Sequence, residues 1–222
     1  NNIEPEGRVF LDIFIARSLP KYPAQLVLSG SLLNSVLQRL CEVPSEELRD
    51  DCQVSAEYLL SAYQPPDSTA LIHALKQAEF FRVLKTVYRR QGLYTELLET
   101  YSEDHEDKEG IFDCITTCLL PNIDLGQKQM QSFRRCIVAH ATDLADISVV
   151  QTARTLLASA AELLEPTAKA LQDSYQQFMF LRTLLEPSLV REDTSLRSKH
   201  SVPEEVRTTF QERYVQLMCA HE

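Results

Sequence analysis

The placement of proline restricts the fold of this sequence more than any other feature. The chain contains ten prolines and five glycines. Proline has no amide hydrogen and clashes with the preceding helical turn, so helices tolerate it mainly at their first position. Nine of the prolines fall between apolar periodic segments: Pro20, Pro23, Pro44, Pro65, Pro66, Pro121, Pro166, Pro187 and Pro203. Their spacing predicts intervals that are one to three helices long.

Within these intervals, apolar residues recur with the period of an amphipathic helix. Asp67 and Ser45 are predicted N-caps, Gly92 is a predicted helix end, and Phe81 is expected to be buried between helices. No pair of alternating segments flanks an Asn-Gly or Asp-Gly turn, so hairpins are not indicated. About ten helices are predicted, near residues 9–14, 32–40, 45–60, 67–91, 94–101, 111–119, 130–145, 149–164, 166–185 and 206–217.

Consecutive amphipathic helices of this length usually pack as antiparallel pairs, and stacked pairs form a solenoid. The sequence therefore predicts an all-α fold, an irregular α-solenoid, with a compact bundle as the competing arrangement. No strict repeat period stands out. The chain lacks an initial methionine and stops inside an amphipathic stretch, so we expect residues 1–222 to be a single solenoid fragment of a longer chain. The charged, serine-rich stretch 190–202 is the predicted flexible loop.

Charge and composition exclude several kinds of partner. The net charge is −10, whereas binding of nucleic acid requires clustered Lys and Arg. No apolar run approaches the roughly 18 residues that span a bilayer, so direct membrane insertion is not expected. Six scattered cysteines indicate reduced thiols in a cytoplasmic protein rather than a disulfide framework.

The sequence offers no constellation that points to an enzyme or a metal centre. Cys114 and Cys118 share a helix face, but His105 and His140 supply no second ligand pair, so we interpret both thiols as core residues. A spatially assembled cysteine–histidine dyad stays open. The acidic run 103–109 lacks the spacing of a calcium loop and is predicted to be a solvated junction. We expect no catalytic, cofactor-binding or metal-binding residues, and no cofactor.

The segments 78–88, 92–94 and 97–101 are more specific than the rest. A small Ala78 permits close helix approach, aromatic residues fill the space between helices, and Gly92 permits a tight reversal. These segments resemble the solenoid repeats of clathrin heavy chain and of the vacuolar protein sorting tethers. Together with 112–119 and 212–219, they look most like the CORVET-specific subunits of the class C core vacuole/endosome tethering complex, in their fungal form.

This resemblance implies a rod-like segment of a subunit that tethers endosomal membranes, with other tether subunits as partners. It assigns recruitment by an endosomal Rab GTPase to regions outside the chain, and implies a peripheral location at the endosome or vacuole. No binding residue can be transferred by the resemblance. The alternatives are a solenoid scaffold of a nuclear pore or vesicle coat, a groove that receives peptides, and a small helical enzyme.

Overall fold

The computed structural model describes residues 5–23, 27–42, 45–120, 125–187 and 201–221. Within these ranges the protein contains twelve α-helices, two short 3-10 turns and no β-strand, so the predicted all-α class is confirmed. The predicted loop 190–202 lies outside the described residues except for residues 201 and 202. The helices are α1 Pro5–Ser18, α2 Gly30–Cys41, α3 Arg49–Ala62, α4 Ser68–Gln77, α5 Phe81–Gln91, α6 Tyr94–Glu103, α7 Gly110–Cys118, α8 Gln127–Ala139, α9 Ala141–Ser159, α10 Leu164–Ala170, α11 Ser174–Leu185 and α12 Glu204–His221.

The chain divides into two compact units, Asn1–Gln91 and Gly92–Glu222. In the first unit, α1, α2 and α3 pack on one another, α4 packs on α2 and α5, and α5 also packs on α3. In the second unit, α6 packs on α7 and α8, α9 contacts α7, α8, α10 and α11, and α12 packs on α11. In each unit, the helices thus pack on helices that are one or two positions away in the chain, as in an α-solenoid. That residues 1–222 form one solenoid fragment of a longer chain stays a prediction.

Several helix ends lie where the sequence predicts them. The Asp67 carboxylate accepts hydrogen bonds from the amides of Thr69 and Ala70, both at 3.0 Å, and caps α4. Gly92 follows α5 with a φ of +69°, a conformation that is easy only for glycine. Ser45 occupies the N-cap position of a 3-10 turn, Glu46–Leu48, that leads into α3, but its side chain makes no capping hydrogen bond.

One helix end has no sequence signal, and it divides the predicted helix 67–91 into α4 and α5. Glu79 takes a left-handed conformation, with a φ of 56°. Its amide donates to Lys76 O at 3.1 Å, and the amide of Phe80 donates to Leu75 O at 3.0 Å. These two bonds form a Schellman motif in which glutamate occupies the usual glycine position. The reversal buries Phe80 completely and leaves Phe81 only partly buried, contrary to our expectation for Phe81.

The predicted helices 130–145 and 166–185 are also divided differently. His140 separates α8 from α9, and α9 bends at Ser148, whose backbone is extended. The Ser148 hydroxyl caps the second half of α9 by accepting from the amide of Gln151 at 3.2 Å. Asp173 caps α11 by accepting from the amide of Gln176 at 3.0 Å. Two extra breaks, at Glu79 and before Asp173, account for twelve helices instead of about ten.

The buried face of α1 differs from the apolar stripe that the sequence predicts, which consists of Val9, Phe10, Ile13 and Phe14. Phe10 and Phe14 are exposed, while Asp12, Ala16 and Leu19 are buried together with Val9. The Asp12 side chain is only 2% exposed. Its carboxylate accepts two hydrogen bonds from Arg39 on α2, Nε to Oδ2 at 2.7 Å and Nη2 to Oδ1 at 2.6 Å. This bidentate pair raises the pKa of Arg39 and fastens α1 to α2.

Helix α12 is anchored on α11 by an aromatic contact. The ring of Tyr214 stacks on that of Phe178 with the ring centres 5.3 Å apart, and its hydroxyl donates to Glu186 Oε2 at 3.0 Å. Burial, and then the hydrogen bond to Glu186, raise the pKa of Tyr214. Phe210 and Leu217 are buried on the same helix. The apolar face of α12 is therefore covered within the second unit.

We predict that Arg39→Ala lowers the free energy of unfolding by about 3–5 kcal/mol, because it leaves the buried Asp12 carboxylate without its partner. Lys169→Ala removes an exposed pair with Glu165 and is the control, with an expected loss of at most about 1 kcal/mol. Urea denaturation of the two variants measures both values. Equal losses would show that the Asp12–Arg39 pair does not behave as a buried pair.

A second prediction concerns the left-handed Glu79. Glu79→Gly and Glu79→Ala both remove the carboxylate that pairs with Arg49 at 2.7 Å, but only glycine adopts the positive φ without strain. The glycine variant should therefore be more stable than the alanine variant by about 1 kcal/mol. Comparing their urea midpoints tests this, and an alanine variant of equal or greater stability would contradict the Schellman geometry.

Candidate functional site: a cysteine–histidine–glutamate cluster beside an acidic groove

An open groove with a volume of about 550 Å³ lies in the second unit. One wall is the connection between α6 and α7, which coincides with the acidic run predicted to be a solvated junction. The other wall is the start of α9. The groove is lined by Ser102, His105, Glu106, Asp107, Lys108, Glu109, Asp143, Asp146 and Ile147. Five of these nine side chains are carboxylates, so the groove favours cations and basic side chains over anions.

The connection between α6 and α7 is shaped by its own side chains. Asp104 is buried, and its Oδ1 accepts a hydrogen bond from the amide of Glu106 at 3.0 Å, which forms an Asx turn. A hypothetical Cβ on Gly110 would lie 2.7 Å from the ring of Tyr101 and 2.6 Å from the carboxylate of Asp107. Glycine at position 110 thus permits the chain to enter α7 closely against α6.

Three potential metal ligands converge beside this groove. Glu99 lies on α6, Cys136 lies in the last turn of α8, and His140 is the residue between α8 and α9. Their ligand atoms all lie within 4.8 Å of one another. Cys136 and His140 are four residues apart and therefore neighbours along one helical face. The packing of α6 on α8 adds Glu99 to this pair.

The surroundings of the cluster determine the protonation of the Cys136 thiol and the orientation of the His140 ring. Cys136 is buried, and this burial, followed by the negative charges of Glu99 and Glu96, raises the pKa of its thiol to about 11. The thiol is therefore protonated at neutral pH when no cation is bound. His140 Nδ1 lies 2.8 Å from Oδ2 of Asp143, so the carboxylate orients the ring and leaves Nε2 available to a ligand.

The cysteine–histidine dyad that the sequence left open now has a concrete candidate in Cys136 and His140. A nucleophilic cysteine needs a lowered thiol pKa, whereas that of Cys136 is raised. The pKa of the Cys41 thiol is likewise raised by burial, to about 12, and that of Cys52 to about 11. These environments favour inert thiols over a reactive one.

Cys114 and Cys118, the pair that the sequence brought forward as thiol ligands, are both buried in α7 with their sulfur atoms 3.9 Å apart. Cys136 was not among the predicted ligands, because it belongs to no pair of cysteines with a second pair of ligands nearby in the sequence. The available signal was the Cys-x-x-x-His spacing at 136–140, which places a thiol and an imidazole on one face of a helix. The third ligand, Glu99, comes from another helix and has no local signal.

The first unit offers two further surfaces. A groove of about 410 Å³ lies between the end of α3, the start of α4 and the end of α5, with Leu60, Tyr63 and Arg90 among its lining residues. Helix α1 exposes three large apolar side chains, Phe10 at 58%, Leu11 at 46% and Phe14 at 64%. Contiguous exposed apolar side chains of this kind are typical of contact surfaces between proteins.

In the described residues, no helix combines the length and the hydropathy that crossing a bilayer requires.

No family model matches the chain. Two curated proteins are similar to most of the chain: the vacuolar protein sorting-associated protein 8 homologs of Homo sapiens and Mus musculus. Each alignment covers 93% of the chain, and 25% of the aligned residues are identical. Vacuolar protein sorting-associated protein 8 of Saccharomyces cerevisiae is 29% identical over 49% of the chain. The chain spans only 14% of the length of the human and mouse proteins and 9% of the yeast protein. Most of its length is thus similar to a small part of a large protein that, by its name, is associated with vacuolar protein sorting.

Proposed function

We propose that this chain is a protein-binding scaffold segment of an endosomal membrane-tethering complex that acts in vesicle fusion and vacuolar protein transport. The observation that carries the proposal is the similarity of 93% of the chain to the vacuolar protein sorting-associated protein 8 homologs. The packing of successive helices supports it, because stacked helix pairs present extended surfaces to other proteins.

The finer proposal is that the parent protein is a CORVET-specific subunit from a fungus. The segments 78–88, 92–94 and 97–101 support it, since they resemble that family, and so does the yeast relative. In this proposal the protein is cytoplasmic and lies peripherally on the endosome or vacuole. The partners of this segment are other subunits of the complex, and an endosomal Rab GTPase binds regions outside residues 1–222.

The role we propose is binding rather than catalysis. The raised pKa values of the buried thiols favour this role over a nucleophilic one. The net charge of −10 and the carboxylates of the groove also make a protein with basic side chains a more suitable partner than a nucleic acid.

The first experiment is affinity capture of the full-length parent protein from cytosol, with bound proteins identified by mass spectrometry. We expect class C tethering subunits, because the chain resembles the subunit that joins them. Recovery of nucleoporins or coat subunits instead would replace the endosomal assignment with the alternative scaffold. Recovery of none of these subunits would contradict the scaffold proposal.

A further inference from the structure

Glu99, Cys136 and His140 form a mixed donor set of oxygen, sulfur and nitrogen, which suits a divalent transition metal. A thiolate, an imidazole and a carboxylate together suit zinc, because magnesium and calcium prefer oxygen ligands only. We propose that these three side chains bind a zinc ion, with a water molecule in the fourth position. This site stands on the geometry of the second unit and does not depend on the proposed tethering function.

The spacing of the donor atoms fits a tetrahedral zinc ion after a small adjustment. Zinc–ligand bonds of about 2.0–2.3 Å place neighbouring ligand atoms about 3.3–3.8 Å apart. The three donor atoms here lie within 4.8 Å of one another. Glu99 is accessible to solvent, and the His140 side chain is 26% exposed. Rotation of the accessible Glu99 side chain by a fraction of a turn would therefore close the site around the buried sulfur of Cys136, while His140 keeps its hydrogen bond to Asp143.

A second carboxylate prepares the histidine for coordination. Asp143 Oδ2 lies 2.8 Å from Nδ1 of His140, so this carboxylate orients the imidazole and leaves the other ring nitrogen, Nε2, as the one that would coordinate a metal. A carboxylate behind a histidine ligand is the usual arrangement at zinc centres, where it raises the basicity of the ring. The arrangement around His140 thus resembles a zinc ligand with its supporting hydrogen bond already in place.

The electrostatic surroundings also favour a cation. Glu96 lies near enough to Cys136 to act on its charge, and Asp143 and Asp146 line the adjacent groove. A divalent ion would compensate these carboxylates and would take the place of the thiol proton, which is released to solvent when the sulfur coordinates. The partial exposure of His140 gives the ion a path from solvent to the sulfur.

Zinc in this position would join helices that pack on one another. Glu99 belongs to α6, whereas Cys136 and His140 form the corner between α8 and α9. The metal would therefore fix α6 against this corner, and it would also hold the wall of the groove that carries Asp143. We expect bound zinc to raise the melting temperature of the chain, because an ion that binds only the folded state stabilises it.

The test is cobalt and zinc binding by the purified chain after removal of metals with a chelator. One equivalent of cobalt should bind and give the absorption spectrum of a tetrahedral Co²⁺ ion, including a sulfur-to-cobalt charge-transfer band. Zinc should displace the cobalt and raise the melting temperature of the chain. Cys136→Ser should abolish the charge-transfer band. Glu99→Gln and His140→Asn should weaken zinc binding, and Asp143→Asn should weaken it by about 10–100-fold through loss of the supporting hydrogen bond.

Cys219→Ser is the matched control, because Cys219 is an exposed thiol on α12 outside the cluster, and it should leave the spectrum unchanged. Circular dichroism of each variant establishes that the helices are intact, and the accessible Glu99 provides a variant that does not disturb the core. The proposal is overturned if cobalt gives no charge-transfer band. It is equally overturned if Cys136→Ser keeps the band, or if Glu99→Gln and His140→Asn variants with intact helices bind zinc as tightly as the parent chain.

Discussion

Each helix in this chain must bury one face against its neighbours, and the rest of the structure depends on that constraint. Most of the helices have between nine and fourteen residues, a length at which an isolated helix is marginal in water. Their stability comes from contacts with other helices. The decisive points are therefore the reversals between helices, because a reversal determines which face of the next helix meets the core.

The reversals explain why part of the fold could be predicted and part could not. Asp67 begins a helix and Gly92 ends one by mechanisms that belong to the residue type, a side-chain cap and a permitted positive φ. Glu79 ends a helix in the same left-handed conformation, but glutamate carries no such signal. On α1, the buried face includes Asp12. A charged residue is predicted to be exposed when only the sequence is considered, because its partner, Arg39, lies on another helix.

The cysteine–histidine–glutamate cluster illustrates the same limit at a site. The spacing of Cys136 and His140 is visible in the sequence, since four residues on a helix define a face. Glu99 lies 37 positions before Cys136 and joins them only because α6 packs on α8. A ligand set divided between a local pair and a distant helix can be half recognised from sequence, and helix packing supplies the rest.

The bend of α9 at Ser148 separates the first seven residues of this helix from the rest. This first half of α9 carries Asp143 and Asp146 on the groove wall, and Asp143 also orients the ring of His140. Across the bend, the Thr152 hydroxyl lies 2.9 Å from Leu144 O and 2.8 Å from Ser148 O, so its one proton is shared between two carbonyls and links the two halves of α9. Ala141, Leu144 and Ala145 are buried in the first half of α9, so the packing of this half and the bend together set the direction in which Asp143 and Asp146 face the groove.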